Sequence, residues 1–475
     1  MIKKIVLAII ALLLLGGLYI VYKKDIRSTK DLRRTLFEAT HDSESVAEKE
    51  AFSVGYNAFL YGLVRVKGML LERRAIHPKY YDYAPINQFH ISKELAKPGF
   101  TDFTPNCDTY YGLAWLDVSQ GPIMITLNEI PDKYYTIQAT DAGLNTFHYI
   151  GSRMNSLPGQ YAYCHQAWKG ELPDSVTRID CPTNQVFLQA RYLVKVGDKE
   201  DETKVQSQMN SLTLQPLNPT AKYEAIDPTS PIANPLNTNP DFLNLNFYSL
   251  LNEALTKNPP VTREEALVGS FAKLGIGIGQ TFDPTALSPA QKKGMEAGQM
   301  AGFRKLYDVL RFDGEEKGGF TFKFNLGNYK NNYPLSAAVA FFGYGANTAE
   351  EALYVTTIED VDGNELNGSH AYQINFDKDQ LPPVNAFWSI TMYNRPDNQL
   401  IENPIQRYNI GGLTPGLKPD PETGAVTIAI QHEKPADASN WLPAPKGNFW
   451  IILRMYNPKQ EVLEGNYIPP EVVRL

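Results

Sequence analysis

Between Pro105 and Asp117 the chain gathers more polar functional groups than packing requires: Asn106, Cys107, Asp108, Thr109 and Tyr110 run into Ala114-Trp115-Leu116-Asp117. A carboxylate at the start of a strand can act as a base or accept from a sugar hydroxyl, while aromatic faces stack on a ligand. Asn106, Thr109 and Tyr110, with Asp141 and Asn145, are therefore the expected lining of a polar pocket, and Asp108 with Arg153 the expected catalytic pair. A local account competes with this one. Asn and Asp beside Thr can tie down their own bend by bonding nearby backbone amides.

Other chemistry is hard to find. The seven His include no His-Glu-x-x-His or His-x-His spacing, so no metal site and no cofactor is expected. Cys107, Cys164 and Cys181 contain no Cys-x-x-Cys; Cys164 and Cys181 could bridge in an oxidising compartment, leaving Cys107 free, or all three could be buried thiols. Gly275-Ile276-Gly277-Ile278-Gly279 lacks the spacing and the preceding strand of a dinucleotide turn and reads as a tight loop. Asp360, Asp362 and Asn364 imitate the start of a calcium loop. Gly363 comes too early and the bidentate Glu is missing, so a hairpin turn is expected there.

What must position these groups is a β-rich chain. Of its 475 residues, 27 are Tyr, 22 Phe, 33 Pro and 34 Gly, which suits half-buried pleated surfaces separated by turns. The length calls for more than one core. A net charge of −7 offers no basic excess for a phosphate backbone, so nucleic acid is not an expected partner. Strands are expected over 113–118, 123–127, 134–139, 186–196, 372–376, 387–393, 426–431 and 449–456. Helices are expected over 43–74 and 242–256, after a Thr262/Glu265 capping box, and after Ser288-Pro289 with Gln291 reaching back. Six Pro fall between residues 216 and 240.

At the N-terminus, residues 5–22 are uncharged and almost wholly apolar between Lys3-Lys4 and Lys23-Lys24. As a helix they would rise about 27 Å, close to the roughly 30 Å of a bilayer's hydrocarbon. Bulky Leu18 to Val21 follow Gly16 and Gly17, so an uncleaved membrane anchor is expected, with a cleaved signal as the alternative. Lys23, Lys24, Arg27 and Lys30 outnumber Lys3 and Lys4, which by the positive-inside rule leaves the body in the cytoplasm. A short basic start followed at once by an apolar run is instead the layout of an export signal.

Several strings carry a family resemblance. Pro105-Asn106-Cys107-Asp108-Thr109-Tyr110, Pro131-Asp132-Lys133-Tyr134-Tyr135, Gly151-Ser152-Arg153 and Trp168-Lys169-Gly170 resemble the domain of unknown function 1254. Phe387-Trp388-Ser389-Ile390-Thr391-Met392-Tyr393, Asn403-Pro404, Arg407-Tyr408, Asn440-Trp441-Leu442-Pro443-Ala444-Pro445 and Arg454-Met455-Tyr456 resemble its C-terminal companion, domain 1214. The resemblance implies two jelly-roll-like antiparallel β-sandwich domains and frequent export to the bacterial envelope, with no reaction attached. Trp388, Arg407 and Trp441 are candidate ligand contacts; the alternative gives them packing and pairing roles. The expected layout is an anchor at 1–24, a first β-rich domain at 45–215, a Pro-rich and helical insert at 216–315, and a second sandwich at 316–475. The expected protein is a membrane-anchored, extracytoplasmic one that binds a small polar or glycan-like ligand. The alternatives are a hydrolase or lyase using Asp108 and Arg153, and a structural or interaction scaffold.

Overall fold

In the computed structural model, residues 43–100, 104–129, 131–223 and 243–475 are described. The first half holds strands β1 (His90–Ile91), β2 (Thr109–Asp117), β3 (Ile123–Leu127), β4 (Tyr135–Thr140), β5 (Thr146–Gly151), β6 (Gly159–His165), β7 (Val176–Cys181), β8 (Gln185–Leu193) and β9 (Thr213–Pro216). The second holds β10 (Glu315–Lys317), β11 (Phe320–Phe322), β12 (Ala352–Thr357), β13 (Tyr372–Phe376), β14 (Val384–Asn394), β15 (Asn409–Gly411), β16 (Val426–Gln431), β17 (Trp441–Pro443), β18 (Phe449–Pro458) and β19 (Val473–Arg474). Sheets in the orders β1-β2-β8-β4-β5 and β7-β6-β3-β9 share one apolar core through Leu116, Ile125, Ile137, Tyr163 and Leu188. Sheets in the orders β10-β11-β12-β18-β14-β15 and β17-β16-β13-β19 share another through Leu353, Ile374, Ile390, Ile428 and Leu453. Pairing is antiparallel apart from β6–β7 and β16–β17. The chain is thus mainly β, with several helices.

The helices are α1 (Ser43–Ala75), α2 (Lys199–Asn210), α3 (Phe247–Lys257), α4 (Glu265–Phe271), α5 (Pro289–Phe312), α6 (Tyr333–Phe342) and α7 (Gln460–Leu463). The helices of the 216–315 segment share an apolar core with α1 and α6. Residues 58–70 of α1 are buried without a break, as expected of a helix surrounded on all sides. Its charged members are consequently paired: Arg65 with Glu264 at 2.5 Å, and Lys67 with the Phe341 carbonyl at 3.1 Å. Along α5, Gly298 lies against α1 so closely that a Cβ there would sit 2.3 Å from the Phe52 carbonyl oxygen. Only glycine permits that approach.

Three expectations need correction or placement. The Thr262/Glu265 capping box does not form. Thr262–Glu264 is a 3₁₀ turn capped by Val261 without a side-chain bond, and Glu264 turns inward to Arg65 and Tyr61. By contrast, Ser288 and Gln291 do cap α5 reciprocally. Cys164 and Cys181 do not bridge. Parallel pairing sets Cys181 opposite His165, and the two thiols face opposite sides of the sheet, Cys181 in the sandwich core and Cys164 with Met124 and Ala162. The expected membrane helix at 5–22 lies outside the described residues, among which no helix is long and apolar enough to cross a membrane.

Candidate functional site at the seam between the sandwiches

Strands buried on both sides carry two different faces. In β8, Val186, Leu188, Ala190 and Tyr192 fill the sandwich core, so Gln189, Arg191 and Leu193 point the opposite way. In β18, Phe449, Ile451, Leu453 and Met455 fill the other core, which turns Trp450, Ile452, Arg454 and Tyr456 outward. These outward faces meet. Apolar patches joining Tyr134 and Leu193 to Phe387 and Tyr456, and Cys107 to Tyr393 and Ile452, pack one sandwich on the other. Between them lies a layer of buried polar groups.

Register places Arg191 between Tyr111 and Thr136, and Arg454 between Tyr354 and Ser389. Each arginine is 3% exposed. Arg191 Nε donates to Tyr111 Oη at 3.3 Å, Nη1 to Gln138 at 2.9 Å and Asn347 at 3.1 Å, and Nη2 to Gln189 at 2.7 Å and the Gly345 carbonyl at 2.9 Å. Arg454 donates to Thr391 Oγ1 and to Tyr393 Oη, both at 2.7 Å.

Asp108 belongs to this layer. It accepts from Ser389 Oγ at 2.8 Å and Asn409 Nδ2 at 2.5 Å, both from the second sandwich. Burial pushes its carboxyl above the ordinary range, against the pull of Arg454 and of those two bonds. Asn106 does tie down its own bend, its Oδ1 accepting from the Asp108 amide at 2.6 Å, while its Nδ2 reaches Tyr456 Oη. Thr109 is buried and Tyr110 packs into the first core.

Asp141 closes its own loop, accepting from the amides of Gly143 at 2.8 Å and Asn145 at 2.9 Å, and Asn145 Oδ1 accepts from the amides of Tyr329 and Lys330 at 2.9 Å each. Burial raises the Asp141 carboxyl as well. Arg153 Nε donates to Glu351 at 2.7 Å. Asp108, Asp141 and Arg153 thus have three separate sets of partners rather than one shared hollow. Trp388 is core payload against Phe376, and Trp441 Nε1 donates to the Gln431 carbonyl at 2.8 Å. Arg407 binds the carbonyls of Ala438, Ser439 and Trp441. The Asp360 carboxylate likewise accepts from the Asp362 and Asn364 amides, as a turn does.

Sequence reasoning missed Arg191, Gln189, Gln138, Asn347, Glu351 and Tyr354. One signal was available: Gln189 and Arg191 interrupt the apolar run of β8 two residues apart, on one face.

At one edge of the seam a groove of about 620 Å³ opens between the halves. The first half supplies Lys133, Tyr134, Ser152, Asn155 and Leu157, the second Asn385, Ala386, Leu413 and Asn457. Leu157 is 70% and Leu413 55% exposed. Below the groove, Tyr134 Oη donates to Glu351 at 2.7 Å, and that carboxylate, 1% exposed, also holds Arg153. Charges at the rim are matched: Lys133 pairs with Asp201, and Asp132 with Lys204 at 2.9 Å. Among the described residues no group of three His, Cys, Asp or Glu could hold a metal.

No curated protein matches this chain. Among solved structures it is similar to the VPA0106 protein from Vibrio parahaemolyticus, at 21% identity and a TM-score of 0.67, covering 90% of this chain and 100% of that one. That likeness concerns the fold alone. An uncharacterised protein from Burkholderia cenocepacia aligns over 93% of this chain and 97% of its own at 13% identity, with a TM-score of 0.46. Residues 86–216 match a family described as a protein of unknown function, DUF1254, and residues 351–460 a second so described, DUF1214. One chain thus carries both matches, the DUF1254 match on the N-terminal and the DUF1214 match on the C-terminal side of the seam.

Proposed function

We propose that this chain is a cell-envelope binding protein, tethered through residues 5–22, whose small polar, glycan-like ligand seats in the groove across the seam. One observation carries the ligand reading: the groove is built from both halves and lined by amides, hydroxyls and exposed leucines with its rim charges already paired. Amides and hydroxyls can exchange hydrogen bonds with sugar hydroxyls, while Leu157 and Leu413 suit the C–H faces of a sugar ring. The strings 131–135 and 151–152 converge on this groove. The hydrolase or lyase reading has less support, because both oxygens of Asp108 are engaged inside the seam and Arg153 is held by Glu351.

Screening the detergent-solubilised full chain against envelope oligosaccharides tests the ligand. A binder at a hundred times its Kd should add about 2.7 kcal/mol to stability. Leu157→Asp with Leu413→Asp should abolish that shift and move the unliganded melting point little, since exposed positions usually change stability by only about 0.5 kcal/mol. A panel in which no saccharide stabilises the parent rules the reading out.

The tether rests on the Lys-flanked apolar run. Removing residues 1–24 should move the protein from the membrane pellet to the soluble fraction; a truncated chain that still pellets would remove that part of the proposal.

A further inference from the structure

Three phenols in the seam are approached from behind by N–H groups. Arg191 Nε donates to Tyr111 Oη at 3.3 Å, Asn347 Nδ2 to Tyr354 Oη at 3.0 Å, and Asn106 Nδ2 to Tyr456 Oη. A phenol has one proton of its own to give. With a donor already against each oxygen, that proton must point elsewhere, and among the described residues no acceptor takes it from any of the three. Tyr456 is fully buried. A buried donor left unmatched costs about 1–3 kcal/mol, so a group from outside the chain is the natural acceptor.

The three oxygens belong to one place. Across the β12–β18 pair, Tyr354 lies opposite Arg454 and Ala352 opposite Tyr456, which makes Tyr354 and Tyr456 diagonal neighbours on one face. Tyr111 comes from the facing sheet, and Arg191 joins the two sides by bonding both Tyr111 and the Asn347 that holds Tyr354. All three phenols lie within electrostatic reach of Arg191, and Tyr456 within reach of the other two.

Two arginines, Arg191 and Arg454, stand beside them, together with the Asp108 carboxylate on the Tyr456 side. Every hydrogen-bond partner of Arg191 is neutral. Arg454 faces Asp108, but that carboxylate is already held by Ser389 and Asn409, and among the described residues Arg454 Nε has no hydrogen-bond partner. Tyr111 and Tyr354 are half-buried, whereas Tyr456 is buried.

We propose that Tyr111, Tyr354 and Tyr456 cradle a small oxyanion, the carboxylate or phosphate group of a ligand, which accepts their three O–H groups in the field of Arg191 and Arg454. O–H donors strengthen when the acceptor is charged, and an anion offsets the burial of Arg191 without a counter-ion. None of the three phenols lines the groove, so this site stands independently of the saccharide reading.

The melting temperature of the detergent-solubilised full chain should rise saturably with sodium acetate or sodium phosphate, and not with sodium chloride at matched ionic strength; the two salts separate carboxylate from phosphate. Tyr354→Phe and Tyr111→Phe should each weaken the apparent affinity about tenfold, equivalent to about 1.4 kcal/mol. An equal response to chloride, no saturable response to either oxyanion, or an undiminished response in both variants overturns the proposal. If neither variant melts cooperatively, the comparison of oxyanion with chloride on the parent decides alone.

Discussion

Replacing Arg191 with alanine is expected to lower the free energy of unfolding by about 4 kcal/mol or more. Two effects oppose each other. Removing a buried guanidinium recovers part of its desolvation cost. Against that, Tyr111, Gln138, Gln189, Asn347 and the Gly345 carbonyl lose their donor together, and a cavity opens between two sheets. Gln189 can turn over and offer nitrogen in place of oxygen; Gln138 and Asn347, whose nitrogens already donate elsewhere, and the Gly345 carbonyl cannot without losing other bonds. Each acceptor left dry costs about 1–3 kcal/mol, so the losses outweigh the recovered hydration. Arg191→Lys keeps the charge but supplies three donors where five are used, and should cost about 2 kcal/mol. Urea unfolding curves measure both. A fall below about 1 kcal/mol for the alanine variant would show that Arg191 does not organise the seam.

Asp108→Ala should be nearly as damaging, at about 3 kcal/mol, because it strips one member from a buried charged cluster. Ser389 and Asn409 lose their acceptor, and Arg454 loses the carboxylate whose field it shares. Asp108→Asn should cost about half as much: an amide oxygen still accepts from Ser389, and burial already disfavours the ionised acid. Guanidinium melts of the three proteins should therefore rank parent, Asn, Ala. An Asn variant as damaged as the Ala variant would mean that the negative charge itself, and not its acceptor geometry, holds the halves together.

The buried seam explains why the most conspicuous polar string was only half legible. Its local half could be read: Asn106 bends the chain onto the Asp108 amide two residues away, a contact that short-range chemistry permits to be anticipated. The remainder could not. Asp108 and Ser389 are separated by 281 positions, and nothing in either neighbourhood marks the other as its partner. Polar residues at alternate positions, such as Gln189 and Arg191, normally signal a face turned to water; here the loop carrying Gly345 and Asn347 covers them.

Period and punctuation were enough for the strands Ile123–Leu127, Tyr372–Phe376 and Val426–Gln431 and for the Ser288 cap of α5, since each depends on neighbours within a few residues. Strands β6 and β7 escaped because their parallel pairing and uneven burial leave no clean alternation. The two family matches were likewise readable from their strings. Only the tertiary structure decided that the halves meet face to face, that Asp141 and Arg153 lie apart from Asp108, and that arginines and tyrosines share a dry layer. Such contacts depend on which sheet covers which, and that follows from the packing of whole surfaces, to which no short stretch of chain has access.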